Sequence, residues 1–460
     1  MELPHGSIRW MELSTREPNN PLNGPVDCDV CIVGGGFTGL WTAYHLTAAE
    51  PGLRIVVLES ETVGSGASGR NAGFAMTLLD MSLDHLCRNH GYEAARLAHE
   101  AVSASVYEIG ETVAREGIDC EWKHGGLMYV ATNKGQLSRL RRDLDAAERL
   151  GLRGFRALDA DGARSLVDSP TYLGGLFEEA CAVLNPAKLV HGLARVLEGR
   201  GVLVYEHSPV YDIRLAGSRM RVSTGVGVVT SEKVVLATNA WAAGTPWFRR
   251  KVTPLYTYIV LTEPLSDEQW ESVGWDSHCG VEDKRNYVHY YRRTVDGRIL
   301  WGGGDGVVYW RGRMSSSLNR HRRIAEDLIA SFRQTFPQLR DVRFTHHWGG
   351  PVGITVRFVP LFGSLVGGRL HYGLGYNGHG VAPSHLGGKI LRDLVLGADS
   401  PYTKLFFVDS KEPEFPPEPL RWIGAELTRR ALLRQDRAFD RGSGDGPMDP
   451  MLLRVLRRLS

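Results

Sequence analysis

Gly34, Gly36 and Gly39 stand at the G-x-G-x-x-G spacing, and an acidic residue, Glu59, follows twenty positions after Gly39. These residue types at these intervals suit one chemistry, the binding of a dinucleotide. The first glycine permits a tight turn, the second lets a pyrophosphate approach the backbone, and the third lets a helix and a strand pack closely. A carboxylate at Glu59 can accept hydrogen bonds from ribose hydroxyls and repels a 2′-phosphate. Gly34, Gly36, Phe37, Thr38, Glu59 and Ser60 are therefore candidate contacts.

A lone glycine fingerprint is weak, and its weight comes from the elements around it. Residues 30–33 (VCIV) read as a strand buried on both faces, and residues 40–46 (LWTAYHL) as a helix. The N-terminus of that helix offers N–H groups and the positive end of its dipole to phosphates. Residues 54–58 form a second buried strand ending at Glu59. Strand, glycines, helix, strand and acid thus come in the required order. A glycine-rich run, GSGASGRNAG at 64–73, follows. A nicotinamide dehydrogenase usually has an ordinary connection there, whereas a long loop of small residues suits close contact with a flat ring and its ribityl chain.

The fingerprint and this run resemble the FAD-dependent amine and amino acid oxidoreductases of the D-amino acid oxidase and glycine oxidase superfamily. The wording GASGRNAG is most similar to the γ-glutamylputrescine oxidase branch. The resemblance covers roughly residues 27–395. It implies an α/β, two-domain (α+β) architecture: a Rossmann-like FAD-binding domain with a discontinuous substrate domain built on an antiparallel sheet. The FAD-binding segments are then 27–85, 165–245 and 343–400. The substrate segments are 86–164 and 246–342, with an arm at 1–26 and a tail at 413–460. The implied flavin contacts are Gly66, Ala67, Ser68, Arg70 and Asn71 in the loop, and backbone at Val210 toward the adenine end. Thr238 lies in the segment 233–241 (KVVLATNAW), similar to the family's turn near the pyrophosphate. A C-terminal signature, HYGLGYNGHG at 371–380 feeding a helix from about Pro383, places Asn377, Gly378, His379, Gly380 and Val381 beside the isoalloxazine ring. A helix N-terminus there stabilises the negative charge of a reduced flavin.

Between these motifs the chain reads as alternating blocks. Residues 82–116 are helical in pattern, 125–132 a strand and 135–150 a charged amphipathic helix whose run Arg139–Arg142 suits a solvated face. Asn185 and Pro186 cap and open another helix, and residues 202–205 and 210–213 read as strands. Asp296-Gly297 marks a hairpin between two strands. Alternation along the first strand puts Tyr287, His289 and Tyr291 on one face, and Val288, Tyr290 and Arg292 on the other. One face can line a cavity over the flavin, so His289, Tyr290, Tyr291 and His379 are the candidate catalytic residues. An aromatic strand packing the core is the alternative. Residues 319–336 form an amphipathic helix.

Composition bounds the rest. The chain has 460 residues, a formal net charge of +2 and 43% hydrophobic residues, which suits a two-domain globular protein and argues against a nucleic-acid partner. Six scattered cysteines include one CxxC, Cys28 and Cys31, with Cys31 inside a buried strand, so core thiols are expected rather than a metal site or redox pair. No apolar run is long enough to span a bilayer, a membrane partner is not expected, and a reducing cytoplasm fits. The tail carries a proline-rich linker, a basic helix over residues 420–439 with Ile423, Leu427, Ala431 and Leu432 along one side, and an apolar group at Leu452, Leu453, Val455 and Leu456. It is expected to dock on its own domain or on another subunit, in a homo-oligomer or with a partner subunit.

With a single dinucleotide fingerprint, no second site for a reducing nucleotide is evident, and electrons must come from an organic substrate. In the resembling family a neutral amine gives a hydride to flavin N5 and the imine hydrolyses, with O2 or another acceptor reoxidising the flavin. That chemistry requires positioning and a dry site more than a strong base. Ala382 and Pro383 stand where some members carry a lysine that clamps a carboxylate, and Leu300-Trp301 where some carry an oxygen-activating lysine. Arg70 and Arg357 remain candidate cations. Val352 lies where some relatives tether the flavin through cysteine, so non-covalent FAD is expected. Two other readings stay open: a non-catalytic flavoprotein subunit or redox sensor, and oxidation of a C–O bond in a hydroxy acid or polyol.

Overall fold

The computed structural model describes residues 4–79 and 82–442. The apolar group at 452–456 lies outside the described residues. Two eight-stranded sheets organise the chain. In the first, Gly24–Val33 pairs in parallel with Gly227–Leu236 on one side and Ile55–Leu58 on the other, and Ile55–Leu58 pairs in parallel with Leu203–Tyr205. Leu370–Leu374 adds in parallel beyond Gly227–Leu236, Leu361–Leu365 closes that edge antiparallel, and the hairpin Val210–Ala216/Arg219–Thr224 attaches to Gly227–Leu236. Ile55–Leu58 is buried at every position, as expected of a strand covered on both faces.

Two helices on this sheet position the site. Phe37–Ala49 is buried at most of its positions, because the helix Val381–Leu396 lies against it. A helix apolar all round needs such a sandwich. The expected helical run at 82–116 is two helices, Leu83–His90 and Tyr92–Arg115. They break at Gly91, which sits at φ +84°, in the left-handed region where glycine carries no penalty. The inward face of the second helix carries Ala95, Ala98, Val102, Val106 and Ile109, while Leu97 faces out.

The second sheet runs in the order Phe344–Ile354, Thr253–Thr262, Ile299–Gly303, His289–Arg293, Gly280–Asp283, Leu127–Ala131, Gly174–Glu178, Phe155–Leu158. It is antiparallel except for one parallel pair, Gly280–Asp283 with Leu127–Ala131. Gly174–Glu178 and Phe344–Ile354 hydrogen-bond into this sheet, although the sequence segments 165–245 and 343–400 were expected on the nucleotide side. Glycine-rich strands flanking a nucleotide motif carry no mark of which sheet they join. One face of the sheet rests on the helix Arg322–Thr335 through an aromatic core that includes Tyr256, Tyr258, Trp275, Tyr291, Trp301, Phe332 and Phe336. The other face looks into a cavity toward the first sheet.

Candidate active site

The cavity between the sheets measures about 1800 Å³, more than the ~300–1,000 Å³ of a pocket for one drug-sized ligand. One end is the glycine turn. Gly34 has φ +116°, and a Cβ at Gly39 would lie 2.0 Å from Gly34 O, so strand and helix touch only because both are glycine. Gly36 precedes the helix with no side-chain cap. A Cβ at Gly36 would lie 2.8 Å from Ser68 Oγ, on the lining of the cavity. Phe37 N–H donates to Ser68 Oγ at 2.8 Å, joining the turn to the glycine loop. Glu59 accepts from Gly35 N–H at 2.8 Å, Glu61 N–H at 3.1 Å and the Ser60 hydroxyl at 3.1 Å. Burial raises its pKa above the ordinary carboxylate value, against the pull of these donors. Across the cradle, the buried Thr238 hydroxyl has no hydrogen-bond partner among the described residues. An orphaned buried hydroxyl beside a glycine cradle is where a polar ligand would complete the hydrogen bonding. Val210 lines the same end.

The loop at 64–73 is held by contacts that the sequence does not announce. Trp10, fully buried in the short N-terminal helix Arg9–Glu12, donates its indole N–H to Asn71 O at 2.9 Å. Trp348 donates to Arg70 O at 2.9 Å, and the two indoles meet edge to face at 6.3 Å. Arg292, buried with its guanidinium 4.9 Å from the Trp10 ring, donates to Ala72 O at 2.6 Å and Leu184 O at 2.7 Å. Asn71 spends its amide on Ala67 O, Ser68 O and Gly73 N–H, ordering its own loop. Arg70 reaches Gly349 O at 3.2 Å and Ser65 O, and forms no ion pair among the described residues. Gly66, Ala67, Ser68, Arg70 and Asn71 all line the cavity.

Asn377, Gly378, His379, Gly380 and Val381 line it from the other side. Asn377 sits at φ +54° and accepts from Thr355 N–H at 2.9 Å while donating to Gly375 O at 2.8 Å, so its side chain shapes the turn. Val381–Leu396 then starts with no side-chain cap, its first turn directed at the cavity. Residues of the glycine turn, of the loop and of this helix start all line the one cavity.

The candidate catalytic residues do not all come together. Tyr290, with Tyr287 and Val288, lines the cavity. Its ring lies over Gly302, where a Cβ would come within 2.3 Å, so the glycines ending the hairpin make room for it. Its hydroxyl bonds the Thr257 side chain, and burial keeps the phenol protonated. His289 and Tyr291 do not line the cavity: they face the aromatic core behind the sheet. Tyr291 stacks on Trp301 at 4.1 Å and bonds Tyr172 hydroxyl to hydroxyl at 2.7 Å. His289 Nδ1 pairs with Asp283 at 2.9 Å. Period-2 alternation was legible, but both faces are aromatic, so the pattern does not say which one meets the cavity.

Of the two candidate cations, Arg357 is engaged by Glu412 at 2.9 Å and Ser410 at 2.7 Å. Arg139 leaves the expected solvated face: it donates to Lys284 O at 2.7 Å and lies 5.4 Å from the Phe439 ring. Phe439 belongs to the tail helix Leu420–Asp440, which docks on its own chain and walls the substrate side with Leu420, Gly424, Thr428, Leu432 and Gln435. Its Asp436 accepts from Asn286 N–H at 3.0 Å and Tyr287 N–H at 3.3 Å, and Arg429 pairs with Asp305. No metal site was expected. Among the described residues, His5, Glu12 and His346 bring ligand atoms within 4.8 Å, and none of them lines the cavity.

A family model described as DAO, FAD dependent oxidoreductase, matches residues 29–394. The γ-glutamylputrescine oxidoreductase of Escherichia coli (strain K12) is 35% identical over 382 residues, 83% of this chain and 86% of that protein. The glycine oxidase of Bacillus licheniformis is 24% identical, over 80% of this chain and 93% of its own length. Among solved structures, glycine oxidase from Geobacillus kaustophilus superposes with a TM-score of 0.67 at 23% identity, covering 81% of this chain and 96% of that one. An L-amino acid deaminase from Proteus myxofaciens gives 0.69 at 17% identity, covering 86% and 96%. At those identities the structures show a shared fold. The glycine cradle and the orphaned Thr238 hydroxyl fit the cofactor that the family name states, and no described helix is long and apolar enough to cross a membrane. The chain belongs to the DAO family of FAD dependent oxidoreductases.

Proposed function

We propose that the enzyme oxidises a C–N bond in a primary or secondary amine, giving an imine that hydrolyses, with O2 or another acceptor taking the electrons onward. The observation that carries this reading is the state of the basic side chains around the substrate half of the cavity. Arg357 is engaged by Glu412, Lys284 by Asp143 at 2.8 Å, and Arg285 by Asp283 and Asp440. A substrate carboxylate would have to displace an acid from each of these, and Arg70, which forms no ion pair among the described residues, is spent on two backbone carbonyls of the ring-end wall, so an amine suits the substrate half better than an α-amino acid. The relative at 35% identity, named for γ-glutamylputrescine, supports the same reading.

Bound FAD supplies the hydride acceptor. In this reading Gly34, Gly36, Thr38, Glu59, Ser68 and Thr238 hold its nucleotide end, and the loop around Arg70 with the turn 377–381 holds the ring end without a covalent bond. Tyr290, Tyr287 and the apolar side chains Leu255 and Ile259 orient the amine and exclude water, and the tail helix closes the outer wall. Exclusion of water strengthens each polar contact to the substrate. Six unpaired, buried cysteines support a reducing compartment, the cytoplasm. Deuteration at the α-carbon of a reactive amine slows anaerobic bleaching of the flavin band several-fold if that C–H bond breaks in the step. An unchanged rate with every reactive amine would count against the assignment.

A further inference from the structure

We infer that Glu282 anchors a second, positively charged nitrogen of the substrate, so that the preferred substrate is an amine whose far end carries an ammonium group. This rests on the amine reading above. Glu282 lies in the strand Gly280–Asp283, where its cross-strand partner is Tyr290, the cavity-facing tyrosine, while Val281 opposes Tyr291 on the core side. The carboxylate therefore points into the cavity that it lines, and the residue is only 4% exposed.

The other buried acids nearby have donors. Asp283 takes His289 Nδ1 and Arg285; Glu178 takes the hydroxyls of Thr77 and of Tyr129; Asp143 takes Lys284. Among the described residues, no hydrogen bond or ion pair reaches Glu282: burial and neighbouring charges alone act on its carboxyl. Lys284, the cation two residues along on the same face of the strand, is paired with Asp143 and sits 4.3 Å from the Tyr129 ring. A carboxylate on a cavity wall with no protein donor is completed by a ligand that brings N–H donors.

Position selects which end of the substrate this is. In the sheet order, the Glu282 strand stands four spacings from Phe344–Ile354, the strand whose Gly349 carries Arg70 of the glycine loop. At ~4.8 Å per spacing that is ~19 Å across the sheet. Glu282 thus faces the end of the cavity away from Arg70 and Gly349, where the non-reacting end of an extended amine lies. The reacting nitrogen must be neutral to release a hydride from its carbon, and a carboxylate beside it would hold it protonated. An anchor remote from that nitrogen avoids the conflict.

Charge around the group agrees. Burial raises Glu282 to about 7; Lys284 pulls it down, while Asp283, Asp143 from the helix Lys134–Arg149 and Glu178 from the strand beyond push it up. An arriving ammonium favours the ionised form.

The test compares straight-chain diaminoalkanes with matched alkylamines as reductants of the bound flavin under anaerobic conditions. The wild type is expected to prefer the diamine of best length by ~100-fold in kcat/KM, and Glu282→Gln to collapse that ratio mainly through KM. In the wild type alone, the same ratio should fall about tenfold per pH unit below about pH 7, as Glu282 is neutralised. The reacting amine's own titration cancels in the ratio. This second measurement decides the matter where the variant fails to fold. Bleaching by alkylamines with no diamine preference, a pH-independent ratio, or a Glu282→Gln enzyme that keeps the preference would overturn the proposal alone. A wild type that neither series reduces would overturn the amine reading, and this proposal with it.

Discussion

Tyr290 and Tyr291 are neighbours in the chain and sit on opposite sides of one sheet. Replacing Tyr290 by alanine removes a cavity wall, and we expect kcat/KM to fall roughly tenfold or more with little change in melting temperature. Tyr291→Phe leaves the Tyr172 hydroxyl without its partner in the core. It should cost about 1–2 kcal/mol in denaturant unfolding while the flavin reduction rate stays near that of the wild type. The reverse pattern would place the wrong tyrosine at the substrate. At the nucleotide end, Gly36→Val drives a side chain against Ser68, and the variant should purify with little bound FAD, read from the ratio of flavin to protein absorbance. The glycines and Glu59 were legible because their spacing is set by backbone geometry alone. Glu282 was not, since a lone acid in a strand carries no mark of being left without a partner.

The tail helix Leu420–Asp440 is fastened by Asp436 to the segment that carries Asn286 and Tyr287, and by Arg429 to Asp305. Asp436→Ala removes three hydrogen bonds at the cavity rim. We expect faster amide exchange across 420–440 and a raised KM with a smaller effect on kcat; unchanged exchange would show that the helix is held elsewhere. The sequence gives this helix its amphipathic pattern but not its place, because docking depends on what Asn286 and Tyr287 present after folding. The hairpin of the second sheet carries an acid-sensitive device. Burial alone would raise Asp283, yet Arg285 and His289 outweigh it and hold the carboxyl down to about 2. Its folded pKa lies below the unfolded one, so its contribution is complete above about pH 4 and is lost as pH falls from there toward 2. Asp283→Asn should flatten the acid limb of a stability-versus-pH curve in that window.

The whole molecule is two sheets held across one cavity, and its ends brace the middle: Trp10 from the arm steadies the glycine loop, and the tail helix walls the substrate side. The nucleotide half of this plan was readable from strand, glycine and helix order. The second sheet was readable as antiparallel, but the placement of Gly174–Glu178 and Phe344–Ile354 in it depends on pairings over long sequence distances that local patterns do not encode. Because the cofactor would fill the space between the halves, adding FAD to stripped protein should raise the melting temperature by several degrees. At a hundred times its Kd a ligand adds about 2.7 kcal/mol. The central claim is that an amine reduces the flavin of this chain. It is tested most directly by titrating the purified yellow protein with polyamines, N-methyl amines and amino acids in the absence of oxygen, following the flavin band, and then admitting air. The account predicts bleaching by an amine and none, or far slower bleaching, by α-amino acids, with the rate of recovery in air reporting whether O2 is the acceptor. A flavin that amino acids bleach and amines leave untouched would contradict it.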